Sequence, residues 1–264
     1  NKSETPAIEV DDKKIAGEEA RLKYRYLDLR RPTMQKNLLN RHKAMVAAMN
    51  YLDKEEFIHI ETPVLMKSTP EGARDYVVPS RVNMGKFYAL PQSPQLYKQI
   101  LMVSGVDKYF QFARCLRDED LRSDRQPEHT QIDMEMSFVE REDVFVVVEG
   151  LMKAMWKDVL GIDIKTPFPK ISWHDAMNKY GSDKPDLRFG LEFVDVTELM
   201  KKSDFNVYKE VINAGGVVKC LRVKGAAETY SRKQIDKLID LAKNHHAKGL
   251  SWMKLKDGIL ESNI

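Results

Sequence analysis

From His129 to Phe138 the chain reads His-Thr-Gln-Ile-Asp-Met-Glu-Met-Ser-Phe, and two chemistries alternate along it. Ile132, Met134, Met136 and Phe138 share one parity; Gln131, Asp133, Glu135 and Ser137 share the other. Side chains of a strand point alternately to opposite faces, so the segment is expected to be a strand with one apolar face and one carboxylate-bearing face. Acidic residues are poor strand formers, and a row of them on one face suggests a sheet that holds a ligand or a metal. Upstream runs Tyr109-Phe110-Gln111-Phe112-Ala113-Arg114-Cys115-Leu116-Arg117-Asp118-Glu119-Asp120, in which Arg117 and Glu119 continue the parity of Ala113 and Cys115. Two antiparallel strands joined by a charged loop would bring Arg117, Glu119, Asp133 and Glu135 together. A guanidinium donates two parallel hydrogen bonds and never loses its charge, which suits a phosphate. Carboxylates can accept from an amine, a ligand cation or a neighbouring lysine. The joining segment, Leu121 to Glu128, is long for a hairpin, and long loops on rigid strands are often functional. A solvated charged hairpin with local salt bridges has the same spacing, and spacing alone leaves both readings open.

Other elements must hold these residues. Leu38, Met45, Met49 and Leu52 form a helical stripe over about 32–52, opened by Pro32, which suits a first helical turn. Phe57 to Ile60 reads as a short strand stopped by Thr62-Pro63. Tyr76–Val78 and Phe87–Leu90 read as a hairpin. Ser93-Pro94 opens a helix through Val103, and Phe145, Val148, Met152, Met155 and Val159 mark another. Pro167, Pro169 and the turn Gly181-Ser182-Asp183-Lys184-Pro185-Asp186 form a junction. Beyond it are expected strands at 193–196, around 216–223 and at 250–255, and a helix from Ser231, a good cap, to about Lys243. The domain reading is a polar linker over 1–17, a core over 18–190 and a second unit over 191–264. The fold class is α+β: an antiparallel sheet backed by helices, with a smaller inserted α/β unit.

The 264 residues suit one large or two ordinary domains. With 43 Lys and Arg against 40 Asp and Glu, the net charge of +3 neither demands nor excludes a nucleic-acid partner. Cys115 and Cys220 have no metal-ligand spacing and fit a reducing compartment. No stretch approaches the ~20 apolar residues of a membrane span, and no apolar signal core opens the chain, so a cytoplasmic location without membrane contact is expected.

The run Arg114 to Phe138 resembles motif 2 of class II aminoacyl-tRNA synthetases, and Phe57-Ile58-His59-Ile60-Glu61-Thr62-Pro63-Val64-Leu65 resembles motif 1, with Pro63 as its proline. Thr69-Pro70-Glu71-Gly72-Ala73-Arg74-Asp75-Tyr76 and Ala89-Leu90-Pro91-Gln92-Ser93-Pro94-Gln95-Leu96-Tyr97-Lys98-Gln99 are similar to the aspartyl-tRNA synthetases, and the second unit resembles the insertion domain of their bacterial type. The resemblance covers the whole chain. It implies aspartate activation by ATP with Mg2+, then transfer of the aspartyl group to tRNA(Asp), in a homodimer built through motif 1. It implies that Arg117 grips the α-phosphate, that Glu119 reads the adenine amino group, and that Asp118 and Gln126 lie at the nucleotide. His129 stands where the family usually has a phenylalanine stacked on adenine. For L-aspartate it implies Glu71 at the ammonium, Gln95 and Lys98 at the carboxylates, Arg117 beside them, and Asp133 orienting Lys98. No metal ligand is assigned within the chain.

The Gly-rich motif 3 and the anticodon-binding barrel of the family are not found, so the metal and γ-phosphate contacts are expected largely elsewhere and the isolated polypeptide is expected to be inactive or nearly so. Asparaginyl- and lysyl-tRNA synthetases are weighed as alternatives, and the Glu71–Tyr76 segment and the inserted unit argue against both. A non-catalytic binding module on the same fold is the alternative from another class. No Gly-x-x-x-x-Gly-Lys-Ser/Thr run and no His-Ile-Gly-His is present, which argues against P-loop enzymes and class I synthetases. Charging of tRNA(Asn) as well stays open.

Overall fold

The computed structural model describes residues 3–69, 71–120, 122, 124–247, 249–262 and 264. Asn1, Lys2, Pro70, Leu121, Ser123, Lys248 and Asn263 lie outside them; Pro70, Leu121 and Ser123 fall within the synthetase-like motifs. The chain forms two compact units, Asn1–Phe168 and Pro169–Ile264.

The first unit contains α1 (Glu18–Lys23), α2 (Arg25–Asp28), α3 (Pro32–Lys54), β1 (Ile58–His59), β2 (Val77–Pro79), β3 (Phe87–Ala89), α4 (Gln95–Val103), β4 (Lys108–Leu116), β5 (Glu128–Met136) and α5 (Arg141–Leu160). Pro32 sits in the first turn of α3, where a missing N–H costs little. Glu140 and Asp143 form a capping box at the start of α5, and Gly161 ends it in the left-handed conformation. Helices α3 and α5 pack against each other and against the sheet. Ala48, Leu52, Phe57, Phe110 and Leu151 form the core, with Phe112, Ile132, Met134 and Met136 packed on it. The apolar parity of β5 therefore faces the helices. Each fully buried side chain such as Leu52 contributes about 1.5–3 kcal/mol. Gly150 lets the helices approach closely: a Cβ there would lie 2.0 Å from the Tyr51 hydroxyl.

The sheet order is β1-β4-β5. β4 and β5 are antiparallel, from Lys108 opposite Met136 to Leu116 opposite Glu128. β1 runs parallel to β4, because a hairpin and α4 lie between them in sequence and carry the chain back across. The sheet is therefore mixed at this edge. β2 and β3 form the expected antiparallel hairpin.

The structure corrects three expectations. The apolar alternation ends at Met136, not Phe138: Phe138 has φ 57° and is 98 % exposed, because the chain turns there into α5. Residues 3–17 precede the first helix but are tied down. Ile8 is buried, and the Asp12 carboxylate accepts from Arg31 Nη1 and from the Thr33 amide at the start of α3. The boundary between units falls after Phe168, not at 190/191. Residues 173–192 pack within the second unit: Tyr180 donates to Glu192 at 2.7 Å, and Lys219 Nζ to the Asn178 carbonyl at 2.8 Å.

The second unit holds α6 (Trp173–Tyr180), a 3-10 turn (Leu187–Phe189), β6 (Phe193–Asp195), α7 (Thr197–Met200), α8 (Asn206–Asn213), β7 (Lys219–Leu221), α9 (Ala226–Thr229), α10 (Arg232–Asn244), β8 (Met253–Lys256) and β9 (Ile259–Ser262). β6 pairs with β7 antiparallel. Ser231 caps α10 with Gln234 completing a capping box. Asp257 and Gly258, both at positive φ, make the tight turn between β8 and β9, as a two-residue hairpin requires. Among the described residues no helix is long and apolar enough to cross a membrane.

Candidate functional site

Strand register decides which side chains meet. Residues directly opposite on an antiparallel pair share a face. Tyr109 lies opposite Glu135, Gln111 opposite Asp133, Ala113 opposite Gln131 and Cys115 opposite His129. All eight therefore point away from the helical core. The strand proper ends at Leu116, but the Arg117 amide still bonds to the Pro127 carbonyl at 2.8 Å, which carries the same parity on to Arg117.

Lys98, on α4, reaches down onto this face. Its Nζ lies 3.0 Å from Asp133 Oδ1 and 3.1 Å from Glu135 Oε2, and its side chain is only 12 % exposed. Burial alone would lower the lysine pKa; the hydrogen bonds and charges of Asp133 and then Glu135 outweigh it and hold the group above the ordinary lysine value. Burial raises the Asp133 pKa, and Lys98 pulls against that shift while Glu135 adds to it. The two directions agree: two carboxylates against one ammonium leave the cluster negative when fully ionised, so it holds its protons tightly.

A buried polar network backs the cluster. The Tyr109 hydroxyl, fully buried, donates to Gln111 Oε1 at 2.8 Å. The same oxygen accepts from the Thr62 amide and hydroxyl, at 3.1 and 3.0 Å, tying the end of the motif 1 segment to the floor. Asp133 Oδ2 is buried without a hydrogen-bond partner, although the Tyr109 hydroxyl is near enough to stabilise its charge. Desolvation, then the Asp133 charge, raises the Tyr109 pKa far above the usual phenol range, so it remains a donor.

Cys115 reports the rest of the face. Burial pushes its thiol up to about 11; Arg117 draws it down, while Asp133 and Glu71 push it up. Glu71 is held by two hydroxyls, Ser93 at 2.7 Å on Oε2 and Thr69 at 3.1 Å on Oε1. Gln95, the first residue of α4, has its amide 3.3 Å from Ser93 Oγ. Arg117, Asp133 and Glu71 thus bear on the buried thiol. Glu135, opposite Tyr109, lies six residues further along the strand, about 20 Å away at ~3.3 Å per residue, so Arg117 shares a face with Asp133 and Glu135 but does not meet them as the sequence led us to expect. Glu119 and Gln126 are exposed, beyond the strand ends. Asp118 pairs with Arg74, its amide bonding to the Arg74 carbonyl at 3.1 Å. His129 is half-buried on the site face opposite Cys115.

Sequence reasoning missed Gln92, Gln111 and Tyr109, which contact charged or loop groups from buried positions. For Tyr109 and Gln111 a signal existed, since they share the parity of Arg117. For Gln92 none did. Among the described residues no group of three His, Cys, Asp or Glu side chains is arranged to hold a metal ion.

Known proteins share this sequence at length. The chain is 55 % identical over 262 residues to the Aspartate--tRNA(Asp/Asn) ligase of Caldanaerobacter subterraneus subsp. tengcongensis, covering 99 % of this chain and 44 % of the relative. It is 56 % identical over 264 residues to the Aspartate--tRNA ligase of Geobacillus kaustophilus, covering 100 % and 45 %. For that of Lactobacillus johnsonii the identity is 57 % over 258 residues, covering 98 % and 42 %. The chain thus spans less than half the length of the curated relatives it matches. Among solved structures, an Entamoeba histolytica asparaginyl-tRNA synthetase bound to asparaginyl-adenylate matches with TM-score 0.49 and 21 % identity, over 56 % of this chain and 33 % of that one. The family model for class II tRNA synthetases (D, K and N) matches residues 17–252, and the chain belongs to that family.

Proposed function

We propose that the chain carries the amino-acid-activating face of an aspartate–tRNA ligase, which joins L-aspartate to ATP and passes the aspartyl group to tRNA(Asp). The observation that carries this reading is the buried Lys98 ammonium between Asp133 and Glu135. A cation with one side sealed by carboxylates has its open side for a third, that of the substrate side chain. Asparagine has nearly the same shape but no charge, so it forgoes the charge-assisted bond that the open side of the ammonium offers, at about 1.5–3 kcal/mol. That is about one to two decades of discrimination.

In this reading Glu71 takes the substrate ammonium from its loop, Gln95 steadies the bound amino acid, and Asp133 orients Lys98. Arg117 holds the α-phosphate while the substrate α-carboxylate attacks phosphorus and pyrophosphate leaves. Glu119 reads the adenine amino group, Asp118 and Gln126 flank the nucleotide, and His129 stacks on the base. No protein nucleophile is needed; catalysis is positioning plus charge stabilisation. ATP chemistry in this family usually comes with Mg2+. The described residues do not by themselves make a site for it, and no step of the proposed reaction is routed through one. Homodimerisation would use α3 and β1, whose Leu38, Leu39, Val46 and Ile58 are exposed apolar groups.

Calorimetry with the non-hydrolysable aspartyl-sulfamoyl-adenosine and its asparaginyl counterpart tests the reading. The aspartyl compound binds about ten- to a hundredfold tighter; equal affinities overturn it. Some relatives are named for both tRNA(Asp) and tRNA(Asn) and others for aspartate alone, so the enzyme's choice between the two tRNAs is read by charging each.

A further inference from the structure

Gln92 is 97 % removed from solvent yet lies outside every contact that the proposed substrate binding requires. Its amide is fully used. Oε1 accepts from the Ala73 amide at 3.1 Å, and Nε2 donates to the Ala73 carbonyl at 2.9 Å and to Asp75 Oδ1. This orientation is the only self-consistent one, since flipping the amide would set donor against donor at Ala73. A side-chain amide thus pairs with one backbone residue through both of its groups, as a neighbouring strand would. Asp75 is fixed from its other oxygen by the Ser68 hydroxyl. Next in sequence to Gln92, Ser93 holds Glu71. One side of the 71–75 segment is therefore secured from residues 92 and 93, and Arg74 is secured from Asp118. Gly72, at φ 94°, is the pivot between Glu71 and Ala73.

We infer that Gln92 is a positioning residue that latches the Glu71 loop through Ala73 and Asp75, and so sets the affinity for the substrate's ammonium without touching the substrate. The inference rests on the proposed aspartate-binding role of Glu71. A latch of hydrogen bonds is suited to this task. Each neutral bond contributes modestly, so the loop can open to admit a ligand, whereas leaving the Ala73 groups or Asp75 without partners in a buried place is costly.

Three variants test it. Gln92→Met keeps the volume and removes all three bonds. Gln92→Glu keeps one acceptor, loses both donations and sets a second carboxylate against Asp75. Gln92→Glu with Asp75→Asn reverses the polarity of that bond and restores it. Hydrogen exchange over residues 71–76, read without any ligand, reports the latch itself. Calorimetry with L-aspartate and, separately, with ATP reports its consequence. In Gln92→Met, exchange at Ala73 rises and aspartate affinity falls, each by about tenfold, while ATP affinity stays within about twofold. In Gln92→Glu, the aspartate loss deepens as pH rises from about 5 to 8, because protonation of either carboxyl restores a donor and full ionisation makes the pair repel. The double variant recovers most of the affinity and loses the pH dependence. Unchanged exchange at Ala73, equal losses for aspartate and ATP, or no recovery in the double variant each overturns the inference. If the unaltered chain binds no aspartate, the functional reading fails separately, and the exchange measurement still decides whether the latch exists.

Discussion

The two ends of the site are built differently. At the amino-acid end, Lys98, Asp133, Glu71 and Gln92 are buried or half-buried; Lys98, Glu71 and Gln92 are each tied by two partners, and Asp133 by Lys98. At the nucleotide end, Glu119 and Gln126 are exposed, past the ends of β4 and β5, on the segment that joins those strands. Arg117 stands between, on the last rung shared by the two strands. Selectivity between aspartate and asparagine needs charge fixed in place before the ligand arrives, because a mobile cation would relax to water and lose its discrimination. A nucleotide can instead supply its own organising charge and stacking surface. In the proposed reading the amino-acid end is preorganised, whereas the groups assigned to the nucleotide are exposed.

The sharpest way to break that contrast is at Lys98. Lys98→Met removes the cation and leaves Asp133 and Glu135 facing each other. Affinity for the aspartyl-sulfamoyl compound falls by about 3–5 kcal/mol, two decades or more, and discrimination against the asparaginyl compound disappears. A loss below about tenfold in calorimetry would mean that the cation does not meet the ligand. Its pH behaviour follows from the direction of its shift. The folded pKa lies above the ordinary value of 10.5, so the ammonium and the stability it lends are fully present at neutral pH and are lost only as pH rises through the folded value. Asp133 is shifted up from 3.8, so on acidification it takes a proton before an ordinary carboxyl does and releases its hold on Lys98. Selectivity for aspartate is therefore flat across neutral pH and falls at both extremes.

Arg117→Lys is the next largest effect. A lysine keeps the charge but cannot present a planar fork to a phosphate, and losing one charge-assisted hydrogen bond costs about 1.5–3 kcal/mol. ATP affinity falls by about ten- to a hundredfold, while L-aspartate, which Arg117 is expected only to flank, loses less. Equal losses for both ligands would erase the division between the two ends.

Tyr109→Phe is smaller and falls on stability. It removes the donor to Gln111 and the hydroxyl beside the unpartnered Asp133 oxygen, while Thr62 keeps its two bonds to Gln111. One buried hydrogen bond is about 1 kcal/mol, which lowers Tm by about 2–4 °C in a unit of this size. A further loss of aspartate affinity would show that the hydroxyl also holds Asp133 in place.

The amino-acid end was the more legible part of the sequence. Period-two alternation puts Asp133 and Glu135 on one face whatever the tertiary context, and antiparallel pairing then puts Arg117 on the same face. Lys98 and Gln95 were assigned to the site only by the resemblance, because nothing local to their helix says that it docks on that face. Parity put Gln111 on the site face, but its bonds to Thr62 were not legible, and Gln92 was not legible at all, because a buried amide acquires meaning only from the backbone it meets, and Thr62 and Ala73 are far from them in sequence. Short elements such as α1, α7 and α9, each six residues or fewer, carry too few turns for a periodic pattern. The unit boundary was misplaced because the turn at Gly181–Asp186 carries strong breaker residues although it lies inside a packed unit.

The smallest effect sharpens the contrast from the nucleotide side. The resemblance to aspartyl-tRNA synthetases implies a phenylalanine stacked on adenine where this chain has His129, half-buried opposite Cys115 on the site face. An imidazole stacks on a base with less apolar area than a phenyl ring. His129→Phe exchanges a small polar ring for a larger apolar one at a half-buried position on the site face. ATP affinity is kept or improves by up to about 1 kcal/mol, about fivefold. Aspartate affinity does not change, since the preorganised end makes no use of this side chain. A tenfold or greater loss in an ATP titration of the variant would take the ring off the base, and would leave the nucleotide end with only the exposed loop and Arg117 to hold its ligand.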